Sequence, residues 1–259
     1  MFYFFDELTS TIDEARDPKY VHGDVVAADF QTAGRGQRGN RWSSTAGENL
    51  MFSVVLDSSF LRVTEQFLLL QTVALALTDT FSDYGIDARI KWTNDIYVGD
   101  RKITGVLIDH SLGLGGMLSR SGVGVGINVN QREFEPWLPN PTSMALELER
   151  SMAREPECAL DRREVLERRE VLDRREVLER FYGRLMERVE CLKGGGRATI
   201  LADYHAKIYR LDTPARFALP DGGEFVGTIR GVGPGGELTI DHPDGTAKSF
   251  LFREVSFII

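Results

Sequence analysis

A glycine- and arginine-rich stretch over residues 31–53 constrains the fold of this chain more than any other part of its sequence. It lies between an apolar run, Val25–Ala28, and a strand-like run, Leu50–Leu56, so it is predicted to be a loop that joins two strands. Glycine lets a backbone approach an anion closely, and arginine neutralises the anion with forked donors. The segment Gly34–Gly39 is therefore a candidate loop for binding a phosphate or a carboxylate. A solvated hairpin loop explains the same residues equally well.

The composition limits the classes of protein to which this chain can belong. A length of 259 residues corresponds to one large domain or two smaller ones. Lysine and arginine number 31 against 39 aspartates and glutamates, and the net charge of −8 argues against DNA binding by overall charge. The apolar runs are too short to span a bilayer, and the first residues do not form a basic and then apolar leader. Two cysteines, Cys158 and Cys191, fit a reducing compartment, so a cytoplasmic protein is expected.

Hairpins dominate the first half of the chain, which predicts an α+β domain with a mixed or antiparallel sheet. Strands are predicted over Met1–Phe5, Val25–Phe30, Leu50–Leu56, Ala88–Trp92, Ile96–Val98, Lys102–His110 and Ser121–Val129. Helices are predicted over Ile12–Arg16, Glu65–Asp83 and Ala198–Ile208. The short strands and glycine turns that follow predict a small β-barrel of about five strands, so that residues 1–208 and 209–259 form two domains.

A charged hexamer, Arg-Arg-Glu-Val-Leu-Glu/Asp, occurs three times in succession, in Arg162–Glu167, Arg168–Asp173 and Arg174–Glu179. Its composition favours a helix, and one long helix from Cys158 to Cys191 is expected. Each six-residue step turns the Val-Leu pair by about 240°, so no single helix face can be buried throughout. We interpret the extra copies as an expansion that projects as a solvated helix. A partner-binding coiled coil is the alternative, and the missing heptad pattern disfavours it.

A second candidate site follows the predicted strand Ala88–Trp92. Lys91 ends this strand, and Asn94 and Asp95 occupy the turn after it. A lysine at a strand end can stabilise a phosphate or a developing oxyanion, and a nearby aspartate can orient an amine or a metal. Each residue also has an ordinary interpretation, since Asn94 suits a turn and Lys102, in the next hairpin, is typical of a solvated charge.

Glycine occupies every second position of the strand that contains Gly122, Gly124 and Gly126. One face of that strand therefore lacks side chains, so that a flat group or another backbone can lie against it, although tight packing of a helix explains the pattern equally well. Asn128 at the end of the strand suits either an adenine edge or a turn. The four histidines are scattered without ligand spacing, so no structural metal is expected.

Five short motifs occur in a fixed order over about residues 1–130. They are Ser10-Thr11 with the later Gln31, Gly34–Trp42 for Gly-Arg-Gly-Arg-x-Gly-x-x-Trp, Lys91–Asp95 for Lys-Trp-Pro-Asn-Asp, Lys102–Leu107 for Lys-x-x-Gly-(Ile/Val)-Leu, and Gly124–Asn128 for Gly-x-Gly-Ile-Asn. Each motif alone is weak, but the ordered set resembles the biotin protein ligases, also called biotin–[acetyl-CoA-carboxylase] ligases.

This resemblance implies an α+β catalytic domain of the class II synthetase-like, lipoate ligase-like kind, followed by an SH3-like β-barrel. It implies that ATP activates biotin to biotinyl-5′-AMP, with Mg²⁺ present, and that biotin then passes to a lysine of a biotin carboxyl carrier protein. A homodimer is compatible with the resemblance. Some members carry a winged-helix DNA-binding domain before the catalytic domain, and this sequence has no room for one there, so no DNA partner is expected. No membrane partner is expected either, because the apolar runs are too short to span a bilayer.

The resemblance also implies roles for individual residues. Lys91 and Lys102 would stabilise the reacting carbonyl and the α-phosphate, Asp95 would orient the acceptor lysine, and Arg35 completes the expected catalytic set. The expected biotin contacts are Ser10, Thr11, Gln31, Arg35, Gly36, Gln37, Lys102 and Gly105. The expected nucleotide contacts are Arg38, Trp42, Asn94 and Asn128.

Two residues depart from the family pattern, and two other functions fit parts of the sequence. Gln37 stands where an arginine is usual, which predicts a weaker grip on the adenylate, and Thr93 replaces a proline, which predicts a slightly looser turn. A lipoate or octanoate ligase or transferase is the nearest alternative, and it would need a longer apolar slot. A non-catalytic binding module is the alternative from another class, and the presence of both lysines with Asp95 disfavours it.

Overall fold

A computed structural model describes residues 1–154 and 171–259, apart from the side chains of Arg38 and Arg154. Its first sheet has seven strands in the order β1-β2-β3-β7-β6-β5-β4, and its second has five in the order β11-β10-β9-β8-β12. The strands of the first sheet are β1 Phe2–Leu8, β2 Val25–Gln31, β3 Leu50–Asp57, β4 Ala88–Lys91, β5 Asp95–Val98, β6 Arg101–Leu112 and β7 Leu118–Ile127. Those of the second are β8 Pro214–Ala218, β9 Glu224–Val232, β10 Leu238–Asp241, β11 Ala247–Phe250 and β12 Ser256–Ile258.

The seven-stranded sheet is mixed, which confirms the α+β prediction. Strands β1 and β2 pair in parallel because a short helix, α1 (Thr11–Glu14), lies between them in the chain. The other neighbours in this sheet pair antiparallel, and β4 to β7 follow one another through hairpins. The site motifs therefore lie at the ends of β2, β4 and β7 and at the start of β6.

Three longer helices of the described chain cover one face of this sheet. Helix α2 (Gln66–Asp83) buries thirteen of its eighteen residues, since it lies between strands β4 and β5 and two further helices, α4 (Arg174–Lys193) and α5 (Arg197–Ala206). Helix α4 also reaches the sheet directly, where the ring of Phe181 lies 5.2 Å from that of Phe52. Helix α3 (Met144–Arg154) follows the end of β7.

The predicted continuous helix from Cys158 to Cys191 is wrong at residues 171–173, which are not helical. The buried Leu172 exchanges two hydrogen bonds with the side chain of Asn130, at 2.9 and 3.0 Å, which holds the backbone extended. Asp173 then begins α4 as its N-cap by accepting from the backbone N–H of Arg175. The third hexamer is packed into the protein, since Val177 and Leu178 are fully buried. The hypothesis that the extra copies project as a solvated helix stays a prediction. The first hexamer and most of the second lie outside the described residues.

The C-terminal antiparallel sheet packs directly against the first sheet, and one apolar core runs through both. The indole Nε1 of Trp92 donates to the carbonyl of Gly236 at 2.8 Å, and the Trp92 ring meets Phe252 edge-on. Residues 207–209 cover the outer edge of β4, since Ile90 exchanges backbone hydrogen bonds with Lys207 and Tyr209. No helix in the two described ranges combines the length and the apolar character needed to cross a membrane.

Removing a leucine side chain from α4 should destabilise the protein strongly. Leu178 is fully buried, so Leu178→Ala is expected to lower the free energy of unfolding by about 2–5 kcal/mol. Leu201→Ala in α5 is the matched control, because Leu201 is 38% exposed and its loss should cost less than about 1 kcal/mol. Denaturant unfolding followed by circular dichroism measures both, and equal losses would contradict this packing of α4.

Candidate active site

A cleft of about 250 Å³ opens where α1, the loop 34–42, strands β4 to β7 and the C-terminal sheet meet. We call it the central cleft. It brings together segments that are far apart in sequence, and its walls include most of the residues that the motifs predicted. Those residues are Ser10, Thr11, Gln31, Arg35, Gly36, Gln37, Trp42, Lys91, Asn94, Asp95, Lys102 and Gly105.

The floor of the central cleft is the side of β6 and β7 that glycine leaves bare. The indole of Trp42 lies flat on Gly126 and on Gly105, which is the partner of Gly126 across the ladder. A methyl group at Gly126 would overlap the Trp42 ring. Further along the same face, the side chain of Ile12 lies on Gly122 and Gly124. The alternating glycines therefore admit one flat ring and one branched side chain to a sheet that would otherwise exclude both.

Helix α1 presents Ser10 and Thr11 to the central cleft, and both residues are buried. Ser10 holds the N-cap position, but its side chain makes no capping hydrogen bond. The carboxamide of Gln31 takes that role instead by accepting from the backbone N–H of Thr11 at 2.7 Å. The Thr11 hydroxyl accepts from Ser53 at 3.0 Å.

The glycine- and arginine-rich loop folds back on itself above the cleft. The backbone N–H of Trp42 donates to the carbonyl of Gly34 at 3.0 Å, and that of Gly36 donates to the carbonyl of Asn40 at 2.7 Å. This close approach requires glycine at position 34, because a Cβ there would lie 2.6 Å from the backbone oxygen of Trp42. The guanidinium of Arg35 donates to the carboxylate of Asp13 in α1 at 2.6 Å, so the loop is tied to the helix that carries Ser10 and Thr11.

Two lysines and one aspartate form the charged wall of the cleft. The ammonium of Lys102 lies 2.6 Å from a carboxylate oxygen of Asp95. Residues 140–142 fix the backbone of Lys102 through two hydrogen bonds, of 2.7 and 2.9 Å. Burial lowers the pKa of the Lys91 ammonium from its ordinary value; the nearby Asp95 opposes that shift, and Lys102 adds to it. The wall therefore offers two cations to an anion, one of them partly desolvated.

The structure gives less support for three of the expected nucleotide contacts, Asn94, Asn128 and Arg38, than for the other predicted site residues. Asn94 lines the cleft, but its carboxamide nitrogen donates to the carbonyl of Val106 at 2.6 Å, which fixes the turn before β5 to β6. Asn128 does not line the cleft; it is buried and donates to the carbonyl of Thr142 at 2.9 Å. The side chain of Arg38 lies outside the described residues. The roles of all three with a nucleotide stay predictions.

The C-terminal tail supplies part of the wall that the sequence interpretation missed. Phe252, Val255, Ser256 and Phe257 line the central cleft, and the Phe257 ring centroid lies 5.4 Å from the ammonium of Lys91. The tail contains no glycine or charge motif that marks these positions. Long-range packing brings them to the site, including that of Trp92 against Gly236 and Phe252 and that of Phe257 against Tyr209.

Comparison with protein families agrees with this geometry. Residues 2–128, which contain every motif described above, match the model of the biotin/lipoate A/B protein ligase family. This part of the chain is similar to that family. The similarity concerns the seven-stranded sheet and the residues at its strand ends, which form most of the central cleft.

Several relatives extend the similarity into the C-terminal sheet. The bifunctional ligase/repressor BirA of Salmonella typhimurium is 26% identical over 90% of this chain and 66% of its own length, so this chain spans about two thirds of that protein. The biotin–[acetyl-CoA-carboxylase] ligase of Mycobacterium tuberculosis is 26% identical over 85% of this chain and 74% of its own. The biotin protein ligase of Aquifex aeolicus, solved with biotin and ATP, shares the fold with a TM-score of 0.74 at 24% identity, covering 98% of this chain and 97% of that one.

Adding a single methyl group to the cleft floor should displace Trp42. Gly126→Ala overlaps the indole, so the ring is expected to move into solvent and its fluorescence to shift to longer wavelength. Gly122→Ala is the matched control, because its Cβ would meet only the mobile end of Ile12, at 3.1 Å. Emission spectra of both variants against the wild type measure the effect. An unshifted spectrum of Gly126→Ala would contradict the position assigned to Trp42.

Proposed function

We propose that this protein is an ATP-dependent biotin protein ligase. It activates biotin to biotinyl-5′-AMP and transfers the biotinyl group to a lysine of a biotin carboxyl carrier protein. The observation that carries the proposal is the meeting of Ser10, Arg35, Lys91, Asp95 and Lys102 in one cleft, although they come from four separate segments. The names of the M. tuberculosis and A. aeolicus relatives support the same activity.

In the first step a carboxylate oxygen of biotin attacks the α-phosphorus of ATP, and pyrophosphate leaves with its electron pair. Both reactants are anions, so the step needs charge neutralisation that water supplies poorly. Lys91 and Lys102 provide it from the cleft wall, and Arg35 provides it from the loop above. Arg35 must exchange its present partner, Asp13, for the anion. Ser10, Thr11 and Gln31 bind the ureido end of biotin with hydrogen bonds that water would otherwise make.

In the second step the amine of the acceptor lysine attacks the acyl carbon of the mixed anhydride, and AMP leaves. Asp95 orients this amine by accepting a hydrogen bond from it. The carboxylate is already at the site as the partner of Lys102, so one short-range rearrangement makes it available. The product is an amide, and the carrier protein leaves with the biotinyl group.

Magnesium enters this scheme as part of the substrate, MgATP. Among the described residues, no group of three or more histidines, cysteines, aspartates or glutamates could hold a metal. The cleft wall contributes one carboxylate, Asp95, which is paired with Lys102. Mg²⁺ is commonly held by substrate phosphates with one or two carboxylates, so this donor set suits an ion that arrives with ATP.

The loop 34–42 acts as the cover of the site. Sites that bury ligands of drug size measure about 300–1,000 Å³, and the central cleft with Trp42 on its floor measures about 250 Å³. Biotin and ATP therefore enter as the loop moves away from the glycine floor, and the loop closes again over the adenylate. Closure keeps water from the mixed anhydride, which would otherwise hydrolyse.

A loss of Lys91 should abolish the first step. Lys91→Ala is expected to reduce biotin-dependent exchange between ATP and pyrophosphate by about 100-fold or more, because a preorganised cation at the α-phosphate is lost. Lys248→Ala is the matched control, since Lys248 is exposed on β11 in the second sheet. Pyrophosphate release at the wild-type rate from Lys91→Ala would refute the role. Running the wild-type assay with biotin and with lipoate distinguishes the proposed activity from that of a lipoate ligase, and no exchange with either indicates a binding module.

Gln37 should set how long the adenylate stays bound. Gln37→Arg restores the cation usual at this position, so the intermediate is expected to leave about 3–10-fold more slowly. Gln66→Arg is the matched control, because it makes the same change at the exposed start of α2, outside the cleft. Release of radiolabelled biotinyl-5′-AMP into a trapping solution gives the rates. Equal rates for the wild type and Gln37→Arg would contradict the idea that Gln37 weakens retention.

A further inference from the structure

The ammonium of Lys91 is oriented by a phenol rather than by a carboxylate. Its nitrogen donates to the hydroxyl oxygen of Tyr97 at 3.1 Å. Asp95 is paired with Lys91 across the β4–β5 ladder, but its carboxylate forms the ion pair with Lys102 instead. Among the described contacts of Lys91, the Tyr97 oxygen is thus the group that accepts from the ammonium.

Tyr97 is itself held firmly by aromatic neighbours. It is 4% exposed, and its ring meets that of Tyr209 edge-on at 5.6 Å. Tyr209 is fixed in turn by a hydrogen bond from its hydroxyl to Asp100 and by contact with Phe257 at 5.6 Å. The three rings come from β5, from the segment after α5 and from β12. A ring packed on these sides cannot swing away when ligands enter, so its hydroxyl is a stable reference point for Lys91.

We propose that Tyr97 is a positioning residue of the ligase reaction, which acts through Lys91 by holding its ammonium toward the reacting carboxylate and phosphate. This inference rests on the proposed function, because that function gives Lys91 an anionic carboxylate and phosphate to stabilise. Tyr97 follows the Lys91–Asp95 motif by two residues and belongs to the same hairpin, so one short segment supplies both the cation and its support.

Burial and several charged neighbours act on the protonation of Lys91. Burial lowers the pKa of the ammonium, Asp95 raises it, and Lys102 and Arg210 lower it. Burial raises the pKa of both Tyr97 and Tyr209, so both phenols stay neutral at working pH. The charged and titratable groups that act on or contact Lys91 are Asp95 and Tyr97 on β5, Lys102 on β6 and Arg210 after α5. Tyr209 packs against Tyr97 from behind, and the Phe257 ring of β12 lies beside the ammonium. The charged ammonium donates to the Tyr97 oxygen more strongly than the neutral amine does. Removing that oxygen should therefore lower the pKa of Lys91 further.

Substituting phenylalanine for Tyr97 separates this role from packing. Tyr97→Phe keeps the ring and should lower kcat for biotin-dependent ATP–pyrophosphate exchange about tenfold, with little change in KM for biotin. Because Lys91 must be protonated to act, the alkaline limb of the pH–rate profile should also move to lower pH. Tyr204→Phe is the matched control: Tyr204 is as deeply buried, and its hydroxyl has no hydrogen-bond partner among the described residues. It should leave kcat and the profile unchanged.

A measurement without substrates keeps the inference separate from the proposed function. The pH dependence of Lys91 acylation by an amine-reactive reagent, read by mass spectrometry, should have its midpoint at lower pH in Tyr97→Phe than in the wild type. An unmoved midpoint, or an unmoved alkaline limb in an active enzyme, overturns the positioning role. Absence of exchange in the wild type overturns the proposed function, and with it the role of Tyr97 in that reaction, even where the acylation midpoint moves.

Discussion

The site depends on a sheet surface that carries no side chains, because its positions are occupied by glycine. Glycine at positions 105, 122, 124 and 126 lowers the floor of the cleft by the thickness of a side chain. That depth lets the flat ring of Trp42 lie on the sheet and lets Ile12 bring α1 close enough to place Ser10 and Thr11 in the wall. The loop, the helix and the charged hairpin meet because each can approach the same bare face. With larger residues there, the three would be held apart.

Much of this arrangement could be predicted from the sequence because the determining signals are local. The apolar runs that predicted β2 and β3, and the alternating glycines of β7, follow from residue type alone. The Gly99-Asp100 turn fixes the hairpin of β5 and β6. The motif residues Lys91, Asp95 and Lys102 lie on β4, β5 and β6, which two successive hairpins join, so their closeness follows from the register of those strands. For such residues, knowing the local structure is nearly the same as knowing the site.

The parts that the sequence did not predict depend on contacts between distant segments. The break before α4 is set by Asn130, which lies 42 residues from Leu172 and competes with the helix for its backbone groups. The tail residues Phe252 and Phe257 reach the cleft because Trp92 binds the second sheet. Helix propensity favours continuation through the hexamers, and the tail has no motif, so neither outcome is encoded locally. Tyr97 lies two residues after the Lys91–Asp95 motif, but its contact with Lys91 required side-chain geometry.

The ion pair between Arg35 and Asp13 gives the ligand-free site an internal counterion. An incoming carboxylate or phosphate must displace the Asp13 carboxylate from the Arg35 guanidinium. The free energy that it gains is therefore the difference between two similar ion pairs, not the full energy of one. Such an exchange makes association selective for anions that also reach the lysines, since Arg35 alone offers little net attraction. Under the proposed function the exchange equally favours release, because Asp13 can take Arg35 back as AMP leaves. Such a site would turn over without holding its spent nucleotide.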